Sequence, residues 1–356
     1  MLTAPSTIQL SDEQEQHASR LHAASLVIDG SSVVNNEPGH IERFRAGGVT
    51  ATNHTVTNPA SGTVDALREI NTYRRWIDAN RENVLLASTV ADIRTAKETG
   101  REAIIFGPQN TDFLGTDLNL LGTFYDVGVR VMQLTYQRQN AVGSGCGERR
   151  DAGLSTFGRE LVAEMDAMGI VVDLSHCGAV TAADAIATSR NPVIFSHAHP
   201  AAIAPHIRAK DDDLLRALAA GGGVIGITAL SAFLYDPDKP KERPGLPSFV
   251  KHLRYLIDLI GIDHVSIGLD FDETITYEKW EADHKRWPEL QPGWSFEERR
   301  CRDLTSAAEA GNVTRALVAD GFTDDEIQKI LGLNLLRVFE QVWQGGTSTQ
   351  GKGIDQ

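Results

Sequence analysis

Cysteine is scarce in this 356-residue chain: Cys146, Cys177 and Cys301 lie far apart and form no CxxC pair. An odd, dispersed set excludes a disulfide framework and a thiolate cluster, so a reducing, cytoplasmic setting is the expectation. No GxGxxG follows an early strand pattern, and no GxxxxGK followed by Ser or Thr occurs. Both common phosphate-cradling loops are therefore missing. Basic residues are in deficit, 34 Lys and Arg against 48 Asp and Glu, for a net charge of −14. That balance argues against nucleic-acid or anionic-membrane partners, which need clustered cations. Met1 to Arg20 has neither a basic n-region nor an apolar h-region, so no secretory signal is expected. Ala217 to Leu234 runs 18 residues without a charge, but Gly221-Gly222-Gly223 interrupts it. It reads as a glycine-capped helix end followed by a buried strand, not as a membrane span.

What is present is a repeating order of short apolar runs and amphipathic segments. Candidate strands are Leu26–Ile28, Val49–Thr52, Val84–Ala87, Ala103–Phe106, Val129–Leu134, Ile170–Leu174, Val193–Phe195, Val224–Ile227 and Val265–Leu269. They are continuous rather than alternating, as parallel strands covered on both faces require. Val64–Asn80, Phe157–Met168 and Thr181–Ser189 carry helical periodicity between them. The order predicts an α/β fold, a single (β/α)8 TIM-type barrel with one extra strand, for which Val84–Ala87 is chosen, and a C-terminal helix. No Pro- or Ser-rich linker divides Leu26 from Leu269, so residues 1–344 are read as one domain. A Trp-, Pro- and charge-rich stretch at about 273–298 reads as a loop insertion. Thr323 and Glu326 form a capping box opening a helix through Val338, and the Gly/Ser/Thr/Gln-rich tail, 345–356, is expected to be disordered.

Eleven histidines offer imidazole chemistry. Two strands end in the same dipeptide, Ser175-His176 and Ser196-His197, and 21 residues separate the histidines, room for one helix. Adjacent barrel strands then present both imidazoles at the carboxyl rim, where such barrels keep their active sites. A third strand end, Leu269-Asp270-Phe271-Asp272, delivers a carboxylate to the same rim. Two imidazoles and a carboxylate suit zinc; strand-capping histidines are the plainer alternative.

The segments GVRVMQLTYQRQN, GLSTFGRELVAEMDAMGIVVDLSH, PVIFSHAHP, HIRAKDDDLL, DHVSIGLDFD and EIQKILGLNLLRVFE resemble, in order and spacing, the membrane (renal) dipeptidase family of the amidohydrolase superfamily. The resemblance runs from about Leu26 to Phe339. It implies a (β/α)8 barrel and metal-dependent dipeptide cleavage, usually with two zinc ions. It places His176 and His197 on ligands of the second metal. It puts Asp270 on the carboxylate that ligates the first metal and handles protons, and Arg208 on the arginine receiving the substrate carboxylate. It also implies a homodimer.

Departures from that pattern fall on the metal ligands. Family members carry an H-x-D pair after Asp-Gly; here Asp29-Gly30 is followed by Ser31, Ser32 and Val33. The bridging glutamate is Gln109, and the substrate-contacting histidine is Tyr136. Two neighbouring dications repel unless anionic ligands compensate, so the two-metal centre is not expected. The expectation is at most one zinc, on His176, His197 and Asp270, with Gln109, Tyr136 and Arg208 binding substrate and His54 as a replacement ligand. The function expected is a dipeptidase-like hydrolase using metal-activated water on a carboxylate-bearing dipeptide or small amide. A metal-independent lyase, isomerase or hydrolase on the same barrel, and a non-catalytic binding relative, are the alternatives.

Overall fold

β-branched apolar runs become short parallel strands because each is covered on both faces. The computed structural model describes residues 7–33, 39–288 and 293–345. Nine strands follow in order: β1 (Ile28–Ser32), β2 (Ala51–His54), β3 (Val84–Leu86), β4 (Glu102–Phe106), β5 (Val131–Gln133), β6 (Val171–Asp173), β7 (Ile194–Ala198), β8 (Val224–Ile227) and β9 (Val265–Ile267). They pair in parallel as β1-β2-β4-β3 and β5-β6-β7-β8-β9. Two seams join these arcs. Arg130 N–H donates to Phe106 O at 3.1 Å, and Gln133 N–H to Pro108 O at 3.0 Å. Across the other seam, Asp270 N–H donates to Ser31 O at 2.9 Å and Val33 N–H to Phe271 O at 3.0 Å. The result is a TIM-type barrel. β3 is the extra strand: it pairs Val84–Leu86 with the first residues of β4, whose last residue, Phe106, bridges to Val129 instead.

Alternation sorts the side chains. Ile28, Ala51, Ala103, Ile105, Val131, Val171, Ile194 and Val224 meet in one cluster, which strands around a ring achieve only in the lumen. Leu335, Leu336, Val338, Phe339 and Val342 of the C-terminal helix, Asn334–Gly345, join it and close the barrel base. The opposite faces, with Ile104, Phe106, Met132, Val172, Phe195, Ile225 and Ile267, pack against the surrounding helices.

β7 departs from the ring. Its register slips between Phe195 and Ala198. A Cβ placed on Gly30, Gly226 or Gly268 would lie only 2.5, 2.3 or 1.8 Å from the Ser196 carbonyl oxygen. Gly30 belongs to β1 and Gly268 follows β9, neither adjacent to β7. The β7 backbone therefore bends into the lumen, and glycine on three strands makes the room.

Two readings are refined. The stretch at about 273–298 contains a helix, Tyr277–Arg286, capped by Thr276, with Lys279–Asp283 and Lys285–Glu281 pairs. None of its residues is buried, so no apolar stripe marked it. Residues 346–356, read as a tail, lie outside the described residues. The capping box holds, with Thr323 and Glu326 each bonding the other's backbone N–H. Among the described residues no helix is long and apolar enough to cross a membrane.

Candidate active site

The repeated Ser-His dipeptide is the core of the site. β6 and β7 bring the two imidazoles together, with Nε2 of His176 and Nε2 of His197 3.0 Å apart. Each ring is fixed at its other nitrogen. Gln137 Nε2 lies 2.9 Å from His176 Nδ1, and Ser196 Oγ lies 2.7 Å from His197 Nδ1. Asp173 anchors the arrangement, accepting bonds from the hydroxyls of Ser175 and Ser196 and from the backbone N–H of both serines. Cys146 Sγ donates to Gln137 Oε1, and its N–H donates to His176 O. Both histidines are buried, and burial followed by the charge of Arg208 keeps them neutral; His197 falls to about 3.

Tyr136 stacks on His176, ring centroids 4.2 Å apart at 22°. Burial raises its phenol well above the usual range, so it stays protonated. Arg208 is buried and donates through Nε to Ser175 O at 3.3 Å and through Nη2 to His197 O at 3.1 Å. Just after β9, at the seam with β1, Asp270 adopts φ 55°, a left-handed conformation that a non-glycine residue holds at a cost. It accepts from Ser31 Oγ at 3.2 Å, and Ser31 Oγ accepts from Gln109 Nε2 at 3.2 Å. Burial raises the Asp270 carboxyl against the pull of Arg208 and Arg300.

Ser31, Gln137, Ser196 and Asp173 were not read as site residues. For Ser196 the signal was its place directly before His197, whose ring it anchors; Ser31, Gln137 and Asp173 meet the site only through the fold. Cys177, one residue beyond His176, accepts a bond from Thr135 Oγ1, and burial pushes its thiol up to about 12.

His54 does not reach the pair. On β2, Ala51 faces the lumen cluster, and two-residue alternation turns Thr52 and His54 outward. His54 lies instead among His40, Phe44 and Tyr73, in the layer between sheet and helices. Among the described residues, His40, His54 and Glu102 are the one set of three His, Cys, Asp or Glu donors mutually within 4.8 Å. His176, His197 and Asp270 are not so compact.

The donor chemistry can be weighed against zinc. Ser196 Oγ, which donates to Asp173, accepts from His197 Nδ1–H and leaves His197 Nε2 a lone pair, the arrangement of a histidine metal ligand. Gln137 Nε2 donates to His176 Nδ1, so His176 carries its proton on Nε2 and donates it to His197; a metal takes its place only once that proton is lost or the Gln137 amide turns over. Bonds of ~2.0–2.1 Å place tetrahedral nitrogens about 3.3 Å apart, so the observed 3.0 Å needs only a slight opening. One borderline cation fits. Beyond Asp270, Ser31 and Gln109 are neutral groups joined by hydrogen bonds.

A parallel barrel with two histidines and an aspartate at its carboxyl rim is the architecture of the amidohydrolase-type hydrolases. The chain belongs to the membrane dipeptidase family, peptidase family M19, whose model matches residues 15–291. It is 28% identical over 289 residues to dipeptidase tcpJ of Claviceps purpurea, covering 81% of this chain and 62% of that relative. The chain thus spans less than two thirds of that protein. An amidohydrolase structure from Pseudomonas aeruginosa aligns with a TM-score of 0.85 and 33% identity over 92% of this chain and 99% of its own. A metallopeptidase from Rhodobacter sphaeroides, liganded with a phosphinate mimic of the dipeptide L-Ala-D-Ala, aligns with a TM-score of 0.76 and 20% identity over 90% and 100%.

Proposed function

We propose that the chain is a dipeptidase-like hydrolase cleaving a dipeptide or related small amide with metal-activated water, holding at most one zinc ion on His176 and His197. The observation that carries this is the converging Nε2 pair with both Nδ1 atoms anchored. Zinc, when bound, supplies a water of lowered pKa and polarises the amide carbonyl. The rest falls to the protein. Asp270, its carboxyl raised by burial, takes the proton from the attacking water and returns it to the leaving amine. Arg208 receives the substrate carboxylate, the role its family position implies. Tyr136 stays a neutral donor because of burial and stands in for the family's imidazole, while Gln109 offers an amide where the family has a carboxylate. The dipeptide mimic bound by the Rhodobacter sphaeroides relative supports the substrate class.

The test is turnover of a panel of L,L- and L,D-dipeptides by chelated and zinc-reloaded protein, with elemental analysis. Zinc-dependent release of free amino acid, lost in His176→Ala, is the expected outcome; no turnover in the reloaded enzyme sinks the reading. A second reading has one observation in its favour. The direct 3.0 Å His176–His197 contact, continued through Ser196 to Asp173, is a ready proton relay. Metal-independent acid–base catalysis would show as turnover that survives exhaustive chelation.

A further inference from the structure

Outside the lumen, the layer between sheet and helices holds a second cluster of metal-ligating side chains. His40 opens the helix His40–Ala46, His54 ends β2, and Glu102 begins β4. All three are buried, at 0%, 1% and 6% exposure. His40 Nε2 lies 2.9 Å from Glu102 Oε2, and His54 Nε2 lies 3.7 Å from Glu102 Oε1. Thr52 Oγ1 donates to that second oxygen at 3.1 Å. Aromatic rings close the surroundings: Phe44 stacks on His40, Trp76 meets His40 edge-on, and Tyr73 meets His54 edge-on.

Hydrogen bonding leaves this cluster incomplete. Neither ring nitrogen of His54 has a hydrogen-bond partner, nor does Nδ1 of His40. A buried polar atom without a partner costs ~1–3 kcal/mol, and an imidazole always presents one lone pair for a proton or a cation. The carboxylate is already prepared. Burial alone would push Glu102 up, yet His40 and then His54 bring it down to about 2. Burial lowers His54 from its usual value, against the opposing pull of Glu102. Two imidazoles and one carboxylate form a ligand set for a borderline divalent cation. With metal–ligand distances of ~2.0–2.2 Å, tetrahedral donors stand about 3.3–3.6 Å apart. The observed 2.9 and 3.7 Å bracket that spacing.

We propose that His40, His54 and Glu102 form a structural site for one zinc-class divalent cation, separate from the lumenal pair, tying the helix at His40–Ala46 to β2 and β4. A water or Thr52 completes the coordination. This site stands or falls independently of the hydrolase reading, because its readout is metal stoichiometry rather than turnover.

The experiment uses the whole chain, stripped with chelator and titrated with zinc, in a background carrying His176→Gln and His197→Gln. One equivalent of zinc retained by that double variant, with a raised melting temperature, is the expected result. Adding His54→Gln or Glu102→Gln should weaken binding by roughly 100-fold or more, since even outer-shell losses reach that figure. A double variant that binds no zinc overturns the proposal, and so does a His54→Gln protein that binds as tightly as its parent. Should the variants misfold, crystals of the unaltered chain grown with zinc decide. An anomalous peak between His54 and Glu102 supports the site, and a map with no peak there overturns it.

Discussion

The two arcs of the barrel rim treat charge in opposite ways. Around β6 and β7, two neutral imidazoles converge, anchored by Gln137, Ser196 and Asp173 and flanked by the cation Arg208. Around β1 and β4 stand Ser31 and Gln109, neutral groups bonded to each other, with Ser31 donating on to Asp270. One arc carries converging imidazoles with their supports; the other carries neutral side chains joined by hydrogen bonds. The difference teaches that the two arcs can carry different chemistry on one barrel, because each set of side chains hangs on its own strands.

Asp270 joins the arcs, so altering it gives the largest effect. Asp270→Asn should lower kcat by ~10²–10⁴-fold, the range for a general base, with the melting temperature little changed. Steady-state kinetics beside a thermal melt would check this, and an unaltered kcat would remove Asp270 from proton transfer.

Opposite pH dependences provide the next cut. Burial pushes Asp29, on the β1 side, from 3.8 up to about 7. The folded state then binds the extra proton, so this group's contribution falls as pH rises from about 4 to about 7, by on the order of 4 kcal/mol. His197, depressed by burial to about 3, has the reverse sign: its contribution is complete above the unfolded value near 6.5 and is lost as pH falls toward 3. Melting temperatures of chelated protein from pH 4 to 7 should show Asp29→Asn gaining on the parent as pH rises and His197→Gln gaining as it falls. Parallel curves would erase the contrast between the arcs.

Gly268→Ala tests whether the arcs share one backbone feature. Its Cβ would lie 1.8 Å from Ser196 O, and overpacking of this kind costs ~1–3 kcal/mol, measurable by urea unfolding. A neutral result would mean that β7 relaxes freely. Thr323→Ala lies far from both arcs and loses the cap bond to Glu326 N–H, so it should cost about 1 kcal/mol and leave kcat untouched.

Most strands were legible as continuous apolar runs, and all nine candidate runs overlap observed strands, that at Leu26–Ile28 by Ile28 alone because β1 goes on through Asp29-Gly30-Ser31-Ser32. Even the surplus strand could be picked out. The pairing of His176 with His197 was legible from a repeated dipeptide at strand ends. His54 was harder, since Ala51-Thr52-Asn53-His54 shows no apolar alternation to say which face is lumenal. His40 and Glu102 were missed because they gather through topology. Three segments up to 62 residues apart meet only once β2 lies against β4 and the helix at His40 covers both. An acidic residue opening an apolar strand, as Glu102 does, was the available sign. The helix Tyr277–Arg286 left none, because solvated ion pairs rather than a buried stripe hold it.

The inward bend of β7 has a consequence for how the site can diversify. Beneath His197 the lumen is floored by main chain, the Ser196 carbonyl ringed by three glycines. A floor of side chains can be lowered by a single exchange; one made of backbone cannot. That part of the floor is therefore set by the scaffold and is not lowered by exchanging one side chain.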